Sequence, residues 1–183
     1  GLSVAPTPAP TPAPPTPAPT PPPTPLRREL PVVARALSSN YDSARYGAER
    51  CFDGNFGNMC HSGDEATPFL RMDLGTSVAV STVVIWNRVG GFQDRLGRHT
   101  LQLSQDGENW VVCGTHSAAA TAGPFDEACV GTARYVKIQL EANSRDRTLN
   151  LAEVKVYGPP STRVPNAVRA TISPPAVCTL SEK

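Results

Sequence analysis

The chain has 183 residues, with 17 Lys or Arg against 16 Asp or Glu, so its net charge is only +1. That balance gives no reason to expect a nucleic acid or an acidic membrane as partner, and no apolar run reaches the roughly 18 residues of a membrane-spanning helix. The five cysteines show no zinc-ligand spacing and favour an oxidising compartment, so we expect a secreted chain whose leader was removed ahead of Gly1.

The N-terminal residues 1–32 are low in complexity and rich in proline. They contain Ala-Pro-Thr-Pro units up to Pro25, which cannot bury a core and are expected to form polyproline II, at about 3.1 Å per residue. The alternation of Pro and Thr resembles the hydroxyproline-rich glycoproteins of plant and green-algal walls, whose prolines are hydroxylated and then carry sugars. We therefore predict a stalk in which Pro6 to Pro25 is extended, glycosylated and ordered by contacts with other chains. An unmodified flexible linker is the alternative.

Residues 33–158 show the pattern of a β-rich domain. Short β-type segments are separated by Gly, Asn and Asp, and Asp106-Gly107 marks a turn between two of them. There is no convincing amphipathic helix. The predicted strands cover 69–74, 78–87, 99–104, 110–113, 135–140 and 151–157. Many short strands with turns at this spacing predict an all-β fold of the β-sandwich type.

A second proline-containing segment, residues 159–183, forms the C-terminal tail. It contains an apolar stretch from Val164 to Ile172 and a lone Cys178. A linker, a docking strand and the end of a processed fragment are all compatible with this composition. If the other four cysteines pair with one another, Cys178 is left over to form a disulfide with another molecule.

Two cysteines bracket a tight loop that runs from Cys51 to Cys60. They are close enough in sequence to form a disulfide if the loop doubles back. A metal site at Cys60 and His61 is the competing interpretation, but no further ligands cluster nearby in the sequence.

His61, Arg88 and Arg95 carry hydrogen-bonding groups that a core does not require. The apolar, β-branched segment of residues 78–86 is predicted to be a buried strand, so Arg88 stands where that strand leaves the core. The loop of residues 89–94 then turns the chain and leads to Arg95. Two guanidinium groups and an imidazole near one loop suit an uncharged ligand with several hydroxyl groups.

Each of these side chains also has a simpler interpretation. His61 taken alone would more often be a structural or surface histidine. The two arginines could pair with Asp94 and Glu108 on a solvated rim, where such pairs contribute little. Phe92 either offers its ring to the apolar face of a sugar or folds onto the sandwich as an ordinary loop residue.

The spacing of the three polar residues resembles the fucose-binding signature of F-type lectins, a branch of the discoidin-like (coagulation factor C-type) domains. In that signature a His is followed after 26 residues by Arg, then by one residue, Asp, four residues and a basic residue. Here 26 residues separate His61 from Arg88, and Arg95 takes the last position. Gly90 replaces the Asp, and Gly91-Phe92 stands where many members carry two adjacent cysteines.

The flanking sequence extends the resemblance over residues 33–158. The matching stretches are 52–55, 70–75, 87–88, 95–96 and 151–157. The resemblance implies an eight-stranded antiparallel jelly-roll β-sandwich. It also implies that sugar is bound by His61, Arg88 and Arg95, with Phe92 at the edge of the pocket.

A structural calcium ion and a disulfide are implied by the same resemblance. F-type lectins hold calcium beside the sugar site, using carbonyl and carboxylate oxygens of the kind that calcium prefers. The candidate ligands here are Asp53, Asn55, Asn58 and Glu153. Cys113 and Cys129 lie at the ends of two segments and match a disulfide that recurs in the family. Closing a loop of this size would stabilise the fold by about 3 kcal/mol.

Our first interpretation of function is an extracellular module that binds glycans carrying fucose or a related neutral sugar, with no bond made or broken. The chain shows no Ser-His-Asp, Cys-His or paired-carboxylate arrangement and no phosphate loop, so we do not expect an enzyme. The alternative is a structural subunit of an extracellular matrix, a cell wall or a surface filament. In that case the sandwich and the glycosylated Pro-rich tract would be packing elements between neighbouring chains.

Overall fold

The computed structural model describes Gly1, residues 27–142 and residues 147–160. Within these ranges the helical elements are one turn of α-helix, α1 (Ser43–Tyr46), and two 3-10 turns at Ala48–Cys51 and Gln93–Arg95. The strands are β1 (Arg28–Leu30), β2 (Ala34–Leu37), β3 (Cys60–His61), β4 (Phe69–Asn87), β5 (Arg98–Ser104), β6 (Val111–Ser117), β7 (Phe125–Leu140) and β8 (Asn150–Gly158).

Two long strands, β4 and β7, pass through both layers of the sandwich. The first half of β4 pairs with β2 and with the second half of β7, which continues through β5 to β6. These strands form the front sheet. The second half of β4 pairs with β8 and with the first half of β7, and β8 also pairs with β1 and β3. These strands form the back sheet, and every pairing in both sheets is antiparallel.

The register between β4 and β7 shifts where the two strands cross from one sheet to the other, between Asp73 and Val78. Gly75 lies in this stretch with a φ of +81°, a left-handed conformation that side chains disfavour. Its N–H donates to the Asp73 carboxylate at 2.7 Å, which fixes the bend. The bend allows one continuous strand to cover the core from two sides.

The core lies between the sheets and is formed by alternate residues of the strands. On β4, for example, Leu70 and Met72 are fully buried while Arg71 between them faces solvent. Burying each large aliphatic side chain stabilises the fold by roughly 1.5–3 kcal/mol. The fully or almost fully buried members include Leu70, Met72, Val83, Ile85, Leu101, Val136, Ile138, Leu140, Leu151, Val154 and Val156.

The predicted all-β, antiparallel sandwich is confirmed, and its eight strands match the jelly-roll expectation. Four of the predicted strands are wrong in extent. Residues 69–74 and 78–87 form one strand, residues 110–113 continue to Ser117, and the strand predicted at 135–140 begins at Phe125.

The first half of β7 was missed because its hydrophobic alternation is inverted. Glu127 is buried there and Val130 is exposed. The burial of Glu127 is possible because its carboxylate lies 2.8 Å from the ring of the buried His99. A buried acid with such a partner cannot be recognised from hydrophobic periodicity.

The structure contains both disulfides that the sequence predicts. Cys51–Cys60 ties the 3-10 turn Ala48–Cys51 to β3, and both cysteines are fully buried. Cys113–Cys129 ties β6 to β7 across a sequence separation of 16. Because β6 lies at the end of the front sheet and Cys129 belongs to the half of β7 in the back sheet, the second bridge fastens an edge strand of one sheet to the other sheet.

At its N-terminal side the sheet begins ahead of the boundary that the sequence predicts for the domain. Residues 28–30, which the sequence assigns to the stalk, pair with β8, and Leu30 is buried. The predicted glycosylated tract from Pro6 to Pro25, the apolar stretch Val164 to Ile172 and Cys178 lie outside the described residues. In the part that is described, no helix has the length and apolar character needed to cross a membrane.

Candidate functional site

The loop that follows β4 is anchored by Asn87, the last residue of that strand. The Asn87 amide is buried, and its nitrogen donates to the carbonyl of Gln93 at 2.7 Å and to that of Thr121 at 3.1 Å. Its oxygen accepts from the backbone N–H of Arg88 at 2.9 Å. One side chain therefore fixes both ends of the turn that carries the predicted binding residues.

Phe92 is held in a strained conformation at the tip of this loop. Its φ is +60°, and among the described residues it is the only one other than glycine with a positive φ. A left-handed backbone costs a bulky residue roughly 1–2 kcal/mol. The residue nevertheless stays 60% exposed, so the strain is not explained by packing into the core. Strain of this kind concentrates at functional sites.

The structure brings the four predicted sugar-binding residues together. The guanidinium carbons of Arg88 and Arg95 lie 5.2 and 4.5 Å from the centre of the Phe92 ring. An Nη1 atom of Arg95 lies 3.4 Å from Nε2 of His61, which comes from β3 in the back sheet. The result is a cluster of two cations and an imidazole around one exposed ring, which we call the loop cluster.

His61 is oriented by its own backbone. Its Nδ1 lies 2.6 Å from the carbonyl oxygen of Ser62, and because a carbonyl can only accept, Nδ1 carries the proton. In the neutral ring Nε2 is then the acceptor, and it faces Arg95. Although the residue is only 7% exposed, this nitrogen is directed at the loop cluster rather than at the core.

Two tyrosines that sequence reasoning missed contact the His61 ring in a tilted arrangement. The ring centres of Tyr41 and Tyr46 lie 5.0 and 5.9 Å from that of His61, and Tyr41 is largely exposed. A backbone hydrogen bond from Tyr41 N to the His61 carbonyl, 3.1 Å long, holds the two segments together. Two aromatic residues within a turn-rich segment were the only signal in the sequence.

Arg88 has a donor that the protein itself does not use. Its Nε is buried, and no hydrogen-bond partner is found for it among the described residues. Burial, and secondly the nearby charge of Arg95, lower the pKa of Arg88. No carboxylate in the described ranges forms an ion pair with Arg88, so the alternative pairing with Asp94 or Glu108 does not occur for this residue.

A cavity of about 370 Å³ adjoins the loop cluster. It lies between α1, the loop that ends at β3 and the first residues after β4. Tyr46 and Val89 connect it to the cluster, and the remaining lining residues are Arg45, Arg50, Gly57, Asn58 and Met59.

The four predicted calcium ligands lie around the loop from Asp53 to Asn58, which faces β8. Asp53 accepts from the backbone of Asn55 at 2.9 Å and from the Asn58 amide nitrogen at 2.6 Å. Glu153 accepts from the backbone N–H of Gly54 at 3.2 Å. The described residues contain no group of three or more His, Cys, Asp or Glu that could hold a metal ion.

Two observations bear on whether these oxygens fit a cation. Oδ1 of Asn58 is buried and has no hydrogen-bond partner among the described residues. Glu153 is 4% exposed, and the pKa of its carboxyl is raised, first by burial and also by the negative charge of Asp53. The unused amide oxygen of Asn58 and the carboxylates of Asp53 and Glu153 are oxygen ligands of the type that calcium prefers. The side-chain oxygen of Asn55, in contrast, already accepts a hydrogen bond from the backbone N–H of Gly57.

Comparison with protein families gives a match over residues 50–138. Its description is F5_F8_type_C_2: NedA-like, galactose-binding domain. A curated relative, galactose oxidase from Gibberella zeae, is 31% identical over 150 residues, which cover 72% of this chain. The matched part is 22% of that relative, so the chain spans about a fifth of its length.

Solved structures with the same fold include two lectins. An F-lectin (fucolectin) from Morone saxatilis (striped bass) serum is 24% identical with a TM-score of 0.60, over 68% of this chain and 45% of that one. The lectin binding domain of lectinolysin, as a His 62 mutant complexed with Lewis b, is 25% identical with a TM-score of 0.56. That likeness covers 69% of this chain and 92% of the other. The sandwich is therefore of the discoidin-like type.

Proposed function

We propose that this chain is an extracellular lectin-like module that binds a neutral sugar at the loop cluster without making or breaking a bond. The observation that carries the proposal is the buried Nε of Arg88, a charged donor without a partner, next to an exposed strained ring. Leaving such a donor unpaired is costly, and a ligand hydroxyl would remove that cost.

A sugar fits the hydrogen-bonding character of the cluster. Arg88 and Arg95 only donate, while His61 presents an acceptor at Nε2. A hydroxyl group can accept from a guanidinium and donate to an imidazole at the same time. Neighbouring hydroxyls on one pyranose ring therefore satisfy all three side chains, and no second charge has to be buried.

The aromatic rings give the ligand an apolar surface. Phe92 and Tyr41 are both exposed and lie on the two sides of the polar groups, one against the arginines and one against His61. A sugar with one apolar face can pack against either ring while its hydroxyls face the cations.

Fucose or a related neutral sugar is the ligand that we propose. The support is the spacing of His61, Arg88 and Arg95, together with the fucolectin and the Lewis b complex among the similar structures. The galactose-binding description of the matching family makes galactose the main competitor. Gly90 provides no carboxylate to orient the two guanidinium groups, which favours a weak and tolerant site.

A structural calcium ion beside the loop cluster is a further part of the proposal. Asp53, Glu153 and the unused oxygen of Asn58 would hold it, and it would supply positive charge that stabilises this loop. Asn58 also lines the cavity next to the cluster, so ordering of the loop would shape the sugar site.

The extracellular setting rests on the two disulfides and on the Pro-Thr repeat of residues 1–32. That repeat also favours the second function, a subunit of a wall, matrix or filament. The two functions are compatible, since a lectin site can bind a glycan on an adjacent stalk.

A glycan array probed with and without a calcium chelator tests the proposal. We expect binding to fucosylated or galactosylated glycans by the parent and by Arg28→Ala, which alters an exposed arginine on the back sheet. Arg88→Ala should show none. Equal binding by Arg88→Ala and the parent, or no binding by any of the three proteins, would leave the structural-subunit function in its place.

A further inference from the structure

The outer face of the front sheet carries an unusual set of side chains. Residues that alternate with the core positions point to this face, and they come from β4, β7 and β5. They are Phe69, Arg71 and Asp73 on β4, Tyr135, Lys137 and Gln139 on β7, and Thr100 and Gln102 on β5. Most of these residues are exposed or half-buried, and Lys137 is buried beside Trp110.

Two cations lie directly opposite each other at its centre. Arg71 and Lys137 are register partners in the antiparallel pairing of β4 with β7. Like charges at such positions destabilise a sheet. Arg71 is exposed, Lys137 is only 9% exposed, and neither forms an ion pair with a carboxylate in the described ranges. Burial lowers the pKa of Lys137, in keeping with the missing partner.

Aromatic rings hold the ammonium group of Lys137 in place. Its Nζ lies 4.3 Å from the ring centre of Trp110 and 5.4 Å from that of Phe69. Such contacts offset part of the desolvation cost but leave the positive charge in place. Trp110 and Phe69 are themselves partly exposed, so both rings also form part of the surface.

Amide groups extend the face on the far side of Lys137. Gln102 is its register partner on β5, and the Gln102 nitrogen donates to Gln139 Oε1 at 3.0 Å and to Thr100 Oγ1 at 2.9 Å. These bonds fix both amides. They leave the Gln139 nitrogen as a donor and the Gln102 oxygen as an acceptor on the surface.

The nearest carboxylates already have partners elsewhere. Asp73 receives two hydrogen bonds of 2.9 Å from Arg134. Asp106, which shares a cavity of about 180 Å³ with Arg71, accepts from Ser104 and Asn109 in its own turn. Glu141, the next acid beyond Gln139, is likewise paired, with Arg98 at 3.0 Å. The positive charge of Arg71 and Lys137 is therefore not neutralised by these carboxylates.

We propose that this face is a second ligand site, separate from the loop cluster, and that it binds an acidic glycan. The carboxylate or sulfate group lies between Arg71 and Lys137, and the sugar ring packs against Trp110 or Phe69. Hydroxyls pair with Gln139 and Gln102. The ligand supplies the negative charge that the sheet lacks, which explains why two cations are tolerated as neighbours.

The test uses the full chain and measures binding of three probes by calorimetry: a heparin tetrasaccharide, a galacturonate tetramer and a neutral dextran oligosaccharide. We expect at least one acidic probe to bind the parent, and binding to weaken with salt. Arg71→Gln and Lys137→Gln should each reduce affinity about tenfold, the loss of one charge-assisted contact. Arg28→Gln, an exposed cation of the back sheet, should not change it.

A second readout separates this site from the loop cluster. Fluorescence of Trp110, measured in a Trp86→Phe background so that the chain's other tryptophan does not contribute, should respond to the acidic probe equally with and without Arg88→Ala, which alters the loop cluster. Circular dichroism of each variant verifies folding. The proposal is wrong if neither acidic probe binds, if dextran binds as well as they do, if Arg28→Gln loses as much affinity as Lys137→Gln, or if Arg88→Ala abolishes the fluorescence response.

Discussion

The guanidinium carbon of Arg95 lies 4.5 Å from the centre of the Phe92 ring, three positions earlier in the chain. The guanidinium carbon of Arg88 lies 5.2 Å from the same ring, so one phenyl group contacts two cations. The contact depends on the left-handed backbone of Phe92, with its φ of +60°. Stability and binding therefore make opposite demands on this residue.

Phe92→Gly is expected to weaken sugar binding while leaving the stability of the fold nearly unchanged. Glycine removes the left-handed strain of roughly 1–2 kcal/mol and adds roughly 0.5–1 kcal/mol of backbone entropy cost. Urea unfolding should therefore give a free energy within about 1 kcal/mol of the parent. Binding in the glycan assay should fall sharply, because the arginines lose the ring that holds them. A large loss of stability with binding intact would show that Phe92 is a packing residue.

Arg88→Ala should abolish sugar binding and leave the fold unchanged. The substitution removes a buried donor without a protein partner, so the unfolding free energy should change by no more than about 1 kcal/mol. For the parent we expect a dissociation constant for a single monosaccharide between millimolar and tens of micromolar, or about 4–6 kcal/mol. Titration calorimetry measures it, and Arg28→Ala serves as the matched control. A variant that unfolds readily would indicate a structural role.

The Cys113–Cys129 disulfide should matter most for the edge strand β6. Replacing both cysteines with Ala opens a loop closed over a sequence separation of 16, which predicts a loss of about 3 kcal/mol. Hydrogen exchange should accelerate in β6 more than in β4. In the native parent, thiol labelling should modify neither cysteine, and labelling of either one would show that the bridge is not formed in solution.

The loop cluster could be predicted because its signal is local in the sequence. The three polar residues, His61, Arg88 and Arg95, lie at or near strand ends. Their spacing along the chain matches the F-type lectin signature, so they could be identified without knowing the fold. The tyrosines beside His61 could not be found that way. Tyr41 reaches the site through a contact between α1's flanking turn and β3, which only the folded chain specifies.

The pairing of two cations on the outer face of the front sheet could not be predicted from the sequence, for a different reason. Arg71 and Lys137 are 66 positions apart in the chain and become neighbours only through the register of β4 with β7. Hydrophobic alternation predicts which face each residue occupies, but it does not say which strands pair. The first half of β7 escaped prediction because its alternation is inverted: Glu127 is buried against His99, a partner that only the fold supplies.

Glu153 links the proposed calcium site to pH. Its buried carboxyl has a raised pKa, because burial outweighs the hydrogen bond from Gly54 N–H, and the charge of Asp53 acts in the same direction. A raised pKa means that the native state binds this proton more tightly than the unfolded chain does. Without calcium, the stability that Glu153 contributes is greatest below its unfolded pKa of about 4.3 and is lost as pH rises through the folded value.

Glu153→Gln should therefore be more stable than the parent at neutral pH in the presence of EDTA, since the amide carries no charge and can still accept from Gly54. The advantage should shrink as the pH is lowered toward about 4, where the parent carboxyl is protonated in both states. Added calcium should stabilise the parent and not the variant, because calcium needs the carboxylate. Urea unfolding at both pH values, with calcium and with EDTA, gives all the comparisons. Equal stabilisation of both proteins by calcium would place the ion away from Glu153. If the variant is instead less stable than the parent at neutral pH in EDTA, the buried charge of Glu153 has a partner in solution.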